Sequence, residues 1–250
     1  MLISVQLYSV RTALAADPLA TLTTLRDHGF ERVEPFGLLE HADVLRTALP
    51  ALGLDAPSTH ASVLGEEDPA RLFGIAAELG ITTVIDPHRD RSHWQDAEDI
   101  HRTADLFNAL AGDAAREGIR LGYHNHEFEV EADIDGRSGL EVFAEALDPR
   151  VVLELDTFWA AVGGLDPAAL LRELGQRVQL VHLKDGPLGR DTASQTPIGE
   201  GEMDIPAILD AAPWLEIGVI EFDDYAGDPL DGVRLSLEAL GRLQSDGEGR

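Results

Sequence analysis

Short, continuously apolar runs alternate along this chain with longer stretches of amphipathic periodicity. The apolar runs are Leu2 to Tyr8, Arg32 to Phe36, Ala56 to His60, Thr82 to Pro87, Arg120 to His126, Val151 to Thr157, Val178 to Lys184 and Ile217 to Phe222. Most lack the alternation of a strand with one wet face, so they read as strands buried on both sides. Between them lie helical patterns at Pro18 to His28, Ala42 to Leu52, Pro69 to Leu79, Ala97 to Glu117, Gly139 to Leu147, Pro167 to Leu174, Ile205 to Ala211 and Pro229 to Leu243. Asp17-Pro18, Asp68-Pro69, Asp166-Pro167 and Asp228-Pro229 open four of them. An aspartate cap followed by proline in the first turn is a start signal. Gly29, Gly53, Gly80, Gly118 and Gly175 supply stop signals.

Strand and helix thus repeat with a spacing of about 30 residues, eight times in 250 residues. That arithmetic predicts an α/β fold, a (β/α)8 TIM barrel, as a single domain over residues 1–250. No linker-like stretch divides the chain. The competitor is a doubly wound open sheet, which carries a glycine-rich turn after its first strand when it binds a dinucleotide. Here Tyr8-Ser9-Val10-Arg11 follows the first run. The barrel is therefore preferred, and no nucleotide cofactor is expected.

Composition narrows the partners. Asp and Glu number 46 against 19 Lys and Arg, a formal charge of −27. Such a surface repels phosphate backbones and anionic lipid, so neither nucleic acid nor a membrane is an expected partner. The absence of cysteine excludes disulfides, thiolate catalysis and Cys-ligated zinc. The segment Met1 to Arg11 reads as a strand rather than a signal peptide, and no apolar run approaches 18 residues. A cytoplasmic protein is expected. The small, polar segment Gln244 to Arg250 is expected to fray.

A TIM barrel places its active site at the C-terminal ends of the strands. The predicted strands end in Glu34, His60, Asp86 with His88, Tyr123-His124-Asn125-His126-Glu127, Glu154 with Asp156, His182 with Lys184 and Asp185, and Glu221 with Asp223. Five of the nine histidines fall there. One polar strand end is ordinarily solvated or caps the next helix. Recurrence on seven of eight strands calls for something to compensate the buried charge, and a divalent cation does so. Side chains at i and i+2 share a face of a strand. His124 and His126 therefore point the same way, as do Glu154 and Asp156, His182 and Lys184, and Glu221 and Asp223. Asp156, His182 and Glu221 would deliver ligands from three consecutive strands to one mouth. A mixed imidazole and carboxylate shell suits Mn²⁺, Co²⁺, Zn²⁺ or Mg²⁺. The helical zinc-protease pattern H-E-x-x-H is absent.

The order and spacing of Val33-Glu34-Pro35-Phe36-Gly37, Tyr123-His124-Asn125-His126-Glu127-Phe128-Glu129, Leu153-Glu154-Leu155-Asp156-Thr157-Phe158-Trp159, Val181-His182-Leu183-Lys184-Asp185, Gly199-Glu200-Gly201-Glu202-Met203-Asp204 and Val219-Ile220-Glu221-Phe222 resemble the sugar phosphate isomerase/epimerase family. That family lies within the xylose-isomerase-like barrel superfamily. The resemblance implies a divalent metal, foremost Mn²⁺, held by Asp156, His182 and Glu221. The epimerases add a glutamate on strand 5 that is both ligand and base. That position falls here on His124, with Glu127 as the competing candidate. This departure resembles the branch of inosose dehydratases and of hydratases or lyases acting on 3-keto sugars.

The resemblance further implies substrate contacts from Glu34, His60, His88 and His126, and Trp159 as an apolar sugar platform. Lys184 would bind a substrate oxygen, stabilise an enolate, or form a salt bridge within the barrel. Glu154 reads as a deeper acid behind the ligands, while Arg190 and Gln195 lie in a loop that would cover the substrate. The expected function is a metal-dependent isomerase or epimerase of a keto sugar or related cyclitol, acting through an enediolate. His124, Glu221 or Glu127 would be the base, with His124 favoured and Glu221 facing it. The alternative is a lyase or dehydratase of the inosose dehydratase or 3-keto-glycoside hydratase type. A non-catalytic barrel subunit and a metal-dependent endonuclease rank below both. No dedicated phosphate site is legible, which favours an unphosphorylated small molecule, and family members form homo-oligomers.

Overall fold

The computed structural model describes residues 1–248, with side chains through residue 243. Among the described residues eight parallel strands form the barrel: β1 (Leu2–Gln6), β2 (Val33–Glu34), β3 (Ser58–His60), β4 (Thr83–Asp86), β5 (Arg120–His124), β6 (Val152–Asp156), β7 (Val178–Leu183) and β8 (Ile217–Ile220). Neighbours run β2-β1-β8-β7-β6-β5-β4-β3. The seam between β3 and β2 is drawn together by Val33 N–H donating to Asp55 O at 2.9 Å and His60 N–H to Pro35 O at 2.8 Å. The expected (β/α)8 TIM barrel is thus observed.

The Asp-Pro starts behave as their chemistry requires. Asp17, Asp68 and Asp166 accept backbone N–H bonds from Ala20, Arg71 and Ala168 at 3.0, 3.1 and 2.9 Å, each with proline in the first turn. Asp228 accepts from Leu230 N–H at 3.0 Å. The last helix, Pro229–Glu248, has a described backbone throughout. Of the segment Gln244 to Arg250 expected to fray, Gln244 to Glu248 continue this helix, and Gly249 and Arg250 lie outside the described residues.

Strand ends differ from the sequence reading. β1 stops at Gln6 rather than Tyr8, because the Gln6 side chain accepts Tyr8 N–H at 3.1 Å and starts a tight turn over Leu7–Val10. The helix expected from Ala42 starts at Leu38, where Gly37 takes the left-handed conformation (φ 54°) and its carbonyl accepts from Glu40 and His41 N–H. Short helices at Arg11–Ala16, Glu127–Glu131 and Thr157–Val162, and a hairpin pairing Asp133–Ile134 with Arg137–Ser138, were not legible in the pattern. They occupy loops where the apolar period is too short to register.

Two apolar regions hold the fold. A large shell packs the strands against the helices and includes Phe73, Phe107, Tyr123 and Phe143, each buried. Each such ring contributes roughly 1.5–3 kcal/mol on burial. A second, small cluster of Ile85, Val152, Leu180, Ile217 and Val219 plugs the barrel interior. Above this plug the inward positions turn polar, and the candidate site begins.

Candidate active site

Strand register sets the site. His124 on β5 lies opposite Glu154 on β6, and Asp156 lies opposite His182 on β7. The two-residue period then stacks the inward side chains in levels. The lower level holds Glu34, His60, Glu154 and His182. His60 Nε2 is 2.6 Å from Glu154 Oε2 and 3.3 Å from Glu34 Oε1. His182 Nε2 is 2.9 Å from Glu34 Oε1 and 3.1 Å from Glu154 Oε2. Glu34 is steadied from behind by Gln6 Nε2, which donates to Oε1 at 2.9 Å, and by the Ser58 hydroxyl, which donates to Oε2.

The upper level centres on Lys184. Its ammonium lies 2.9 Å from Asp156 Oδ2, 2.7 Å from Glu221 Oε2 and 2.9 Å from Asp223 Oδ2. The contact with Asp223 is a hydrogen bond. Gln195 locks that acid, donating from Nε2 to Oδ2 at 2.7 Å and accepting Asp223 N–H at 2.8 Å. Asp156 Oδ1 accepts Trp159 N–H at 2.8 Å and so caps the helix Thr157–Val162. Asn125 joins the tops of β5 and β6, its Oδ1 accepting Asp156 N–H at 2.9 Å.

Burial raises the stakes of every charge here. It is the main force on His124, pulling the imidazole well below its ordinary value with help from neighbouring His182, so this ring is neutral. Burial also pulls His182 down, but the carboxylates of Glu154 and Glu221 outweigh it and hold the ring well above its usual range. Glu221 resists burial through Lys184 and His182 and stays ionised. Asp156 is pushed up to about 6 by burial, opposed by Lys184. Burial, then Lys184 and His88, bring His126 down to about 4.

A cavity of about 930 Å³ opens above these levels. His60, His124 and Glu221 form its floor, His88 and His126 one wall, and Tyr8 with Phe36 an apolar edge. Tyr8 and Phe36 meet edge to face at 5.4 Å, and the Arg11 guanidinium lies 4.3 Å over the Tyr8 ring. The loop after β7 is anchored by buried Asp185. Its carboxylate accepts Gly186 and Gly199 N–H at 2.8 Å and Met203 N–H at 3.0 Å. A β-carbon on Gly201 would lie 2.2 Å from Asp185 Oδ1, which explains the glycine there.

The structure gathers His124, Asp156, His182 and Glu221 as one group whose ligand atoms lie within 4.8 Å of one another. Other predicted positions fall elsewhere. Glu34 sits beneath the cavity, fully buried. Trp159 is buried against His126, its ring 5.8 Å from the Lys184 ammonium, and does not line the cavity. Glu127 pairs with Arg91 at 3.1 Å and Arg190 at 3.4 Å, away from the floor. Arg190 also binds Glu131, so it fastens its loop to the helix Glu127–Glu131. Sequence reasoning missed Tyr8, Arg11 and Phe36 as lining residues, since nothing in their local pattern marks them. It quoted Asn125 without a role.

The model of the xylose isomerase-like TIM barrel matches residues 14–242. The chain belongs to the xylose isomerase-like TIM barrel family. It is 32% identical over 125 residues to inosose dehydratase of Geobacillus kaustophilus, covering 45% of this chain and 37% of that protein. It is 34% identical over 143 residues to 2-epi-5-epi-valiolone 7-phosphate 2-epimerase of Actinoplanes sp., covering 57% and 50%. The chain thus matches half or less of the length of these relatives. A sugar phosphate isomerase/epimerase structure from Parabacteroides distasonis superposes with a TM-score of 0.77 at 24% identity, over 94% of this chain and 91% of the other. That likeness speaks for the fold. Among the described residues no helix is long and apolar enough to cross a membrane.

Proposed function

We propose that this chain is a divalent-metal-dependent enzyme that isomerises or epimerises a keto sugar or cyclitol. The supporting observation is the buried group His124, Asp156, His182 and Glu221, of which His124 and Glu221 line the cavity floor and Asp156 and His182 lie beneath it. The donor set fits such an ion. Two imidazoles and two carboxylates converge there, a mixed nitrogen and oxygen shell that suits such an ion, and the Asp156 and Glu221 carboxylates already meet at a cation, the Lys184 ammonium. In this reading Asp156, His182 and Glu221 hold the ion, foremost Mn²⁺. The ion supplies polarisation of a carbonyl, which makes the neighbouring C–H acidic.

The chain's own residues do the rest. Neutral His124, exposed to the cavity from below, takes the proton. Ionised Glu221, oriented by His182 and Lys184, faces it and serves the opposite side of the substrate. His88 and His126 contact hydroxyl groups from the wall. Lys184 stays cationic between its carboxylates and favours negative charge developing on a substrate oxygen.

A second reading, dehydration, is favoured by the unlike character of the two facing groups. A neutral imidazole and an ionised carboxylate suit removal of a proton and loss of a β-hydroxyl better than a symmetric exchange. The deciding experiment is NMR of the manganese-loaded protein in D₂O with keto sugars, inososes and 3-keto glycosides. Exchange of the proton beside the carbonyl supports the shared first step, and the product separates the two readings. No exchange with any of them, together with equal metal content in wild type and His182→Ala, would overturn the proposal.

A further inference from the structure

Two overlapping ligand sets lie at and beneath the cavity floor. The upper is His124, Asp156, His182 and Glu221, and the lower is His60, His124, Glu154 and His182. Both use His124 and His182, but through opposite ring nitrogens. His182 Nδ1 lies 2.7 Å from Glu221 above, and its Nε2 lies 3.1 Å from Glu154 below. His124 Nε2 lies 3.7 Å from Asp156 above, and its Nδ1 lies 3.2 Å from Glu154 below. A neutral imidazole has one lone pair on its ring nitrogens. Each ring can therefore serve one level at a time.

Lys184 makes the levels unequal. Its ammonium is already within 2.9 Å of both upper carboxylates, so an ion arriving there must push it toward Asp223. Among the described residues no lysine or arginine pairs with the lower set. There Glu154 Oε1 is buried and without a hydrogen-bond partner, and His124 Nδ1 lies 3.2 Å from Glu154 Oε2.

We propose that His60, His124, His182 and Glu154 form a second metal site, one level below Asp156 and Glu221, that takes an ion of the zinc class. Three imidazoles and one carboxylate suit Zn²⁺ or Co²⁺, whereas the upper set, with two carboxylates, suits Mn²⁺ or Mg²⁺. At the lower level His182 exchanges its Glu34 contact for the ion, and its Nδ1–H donates to Glu221. His124 is then bound through Nδ1 and carries its proton on Nε2, which removes it as a base. The proposal rests on the reading that a divalent ion belongs at this floor, and not on the sugar chemistry.

The test is calorimetric titration of the chelator-treated full chain with Zn²⁺ and with Mn²⁺, in wild type, His60→Gln and Asp156→Asn. His60→Gln should weaken zinc roughly tenfold or more and leave manganese nearly unchanged, and Asp156→Asn should do the reverse. X-ray absorption of the wild-type zinc protein should show three imidazoles around the ion, a readout that stands even where a variant fails to fold. Zinc affinity indifferent to His60, or a zinc shell with two carboxylates, overturns the lower site and leaves the proposed function standing. Binding of neither ion overturns both.

Discussion

Ile85 on β4 fills the space that a side chain at Gly122 on β5 would need. A β-carbon there would stand 2.4 Å from Ile85 Cδ1 and 3.2 Å from Val152 Cγ2. The glycine lets the apolar plug close directly beneath the charged levels.

Gly122→Ala should therefore destabilise the fold by about 1–3 kcal/mol through overpacking. Ile85→Val removes the offending methyl and should recover much of that loss in the double variant. Denaturant unfolding of the four proteins checks this. The same cost for Gly122→Ala in both backgrounds would show that the clash is not the cause.

Lys184→Met removes the sole ammonium among Asp156, Glu221 and Asp223 while keeping the bulk of the stem. Without metal the variant should lose about 3–5 kcal/mol, the usual penalty for an orphaned buried charge. It should also bind Mn²⁺ more tightly, on the order of tenfold, because the ion no longer competes with a tethered cation. Unfolding with and without Mn²⁺, and a titration, measure both. A manganese affinity equal to wild type would mean that the ammonium does not oppose the ion.

Glu129 gives the clearest pH dependence. Burial pushes its carboxyl up to about 8, although Tyr123 O–H and His126 N–H donate to it at 2.6 and 2.9 Å. Between about pH 4.5 and 8 the folded protein keeps a proton that the unfolded chain has released. The folded form binds more protons there, so this group makes stability fall as pH rises across that window and level off above it. The span is on the order of a few kcal/mol. Glu129→Gln, with the Tyr123 hydroxyl turned to accept, should flatten the profile and exceed wild type at pH 9. Parallel profiles for the two proteins would exclude Glu129 as the source.

His124→Gln preserves polarity and approximate size but cannot accept the substrate proton. Exchange of the proton beside the carbonyl, followed by NMR in D₂O at matched metal occupancy, should fall by roughly 10²–10⁴-fold. A wild-type exchange rate would move the base to Glu221.

The strand and helix count, and the barrel that follows from it, were legible because buried parallel strands read as unbroken apolar runs. So was the facing of paired residues such as Glu221 and Asp223, which both reach Lys184. Depth was not legible. Glu34 and Glu221 both end their strands, yet one lies sealed under the floor and the other forms part of it. Strand length and tilt decide that difference, and neither is written in a two-residue period. Trp159 misled for a related reason. The sequence marks an aromatic beside Asp156, but the helix that Asp156 caps turns the indole away from the cavity.

The plug of Ile85, Val152, Leu180, Ile217 and Val219 has a consequence for isotope fate. It leaves the charged levels no route to solvent through the bottom of the barrel. Among the described residues the cavity mouth is the open side of His124 and Glu221, and in the proposed reaction a substrate would sit in it. If the proposed function holds, a hydrogen lifted from the substrate would exchange slowly with bulk water while the complex lasts. Part of the label should return to the molecule it left, rather than being fully exchanged with bulk water at each turnover.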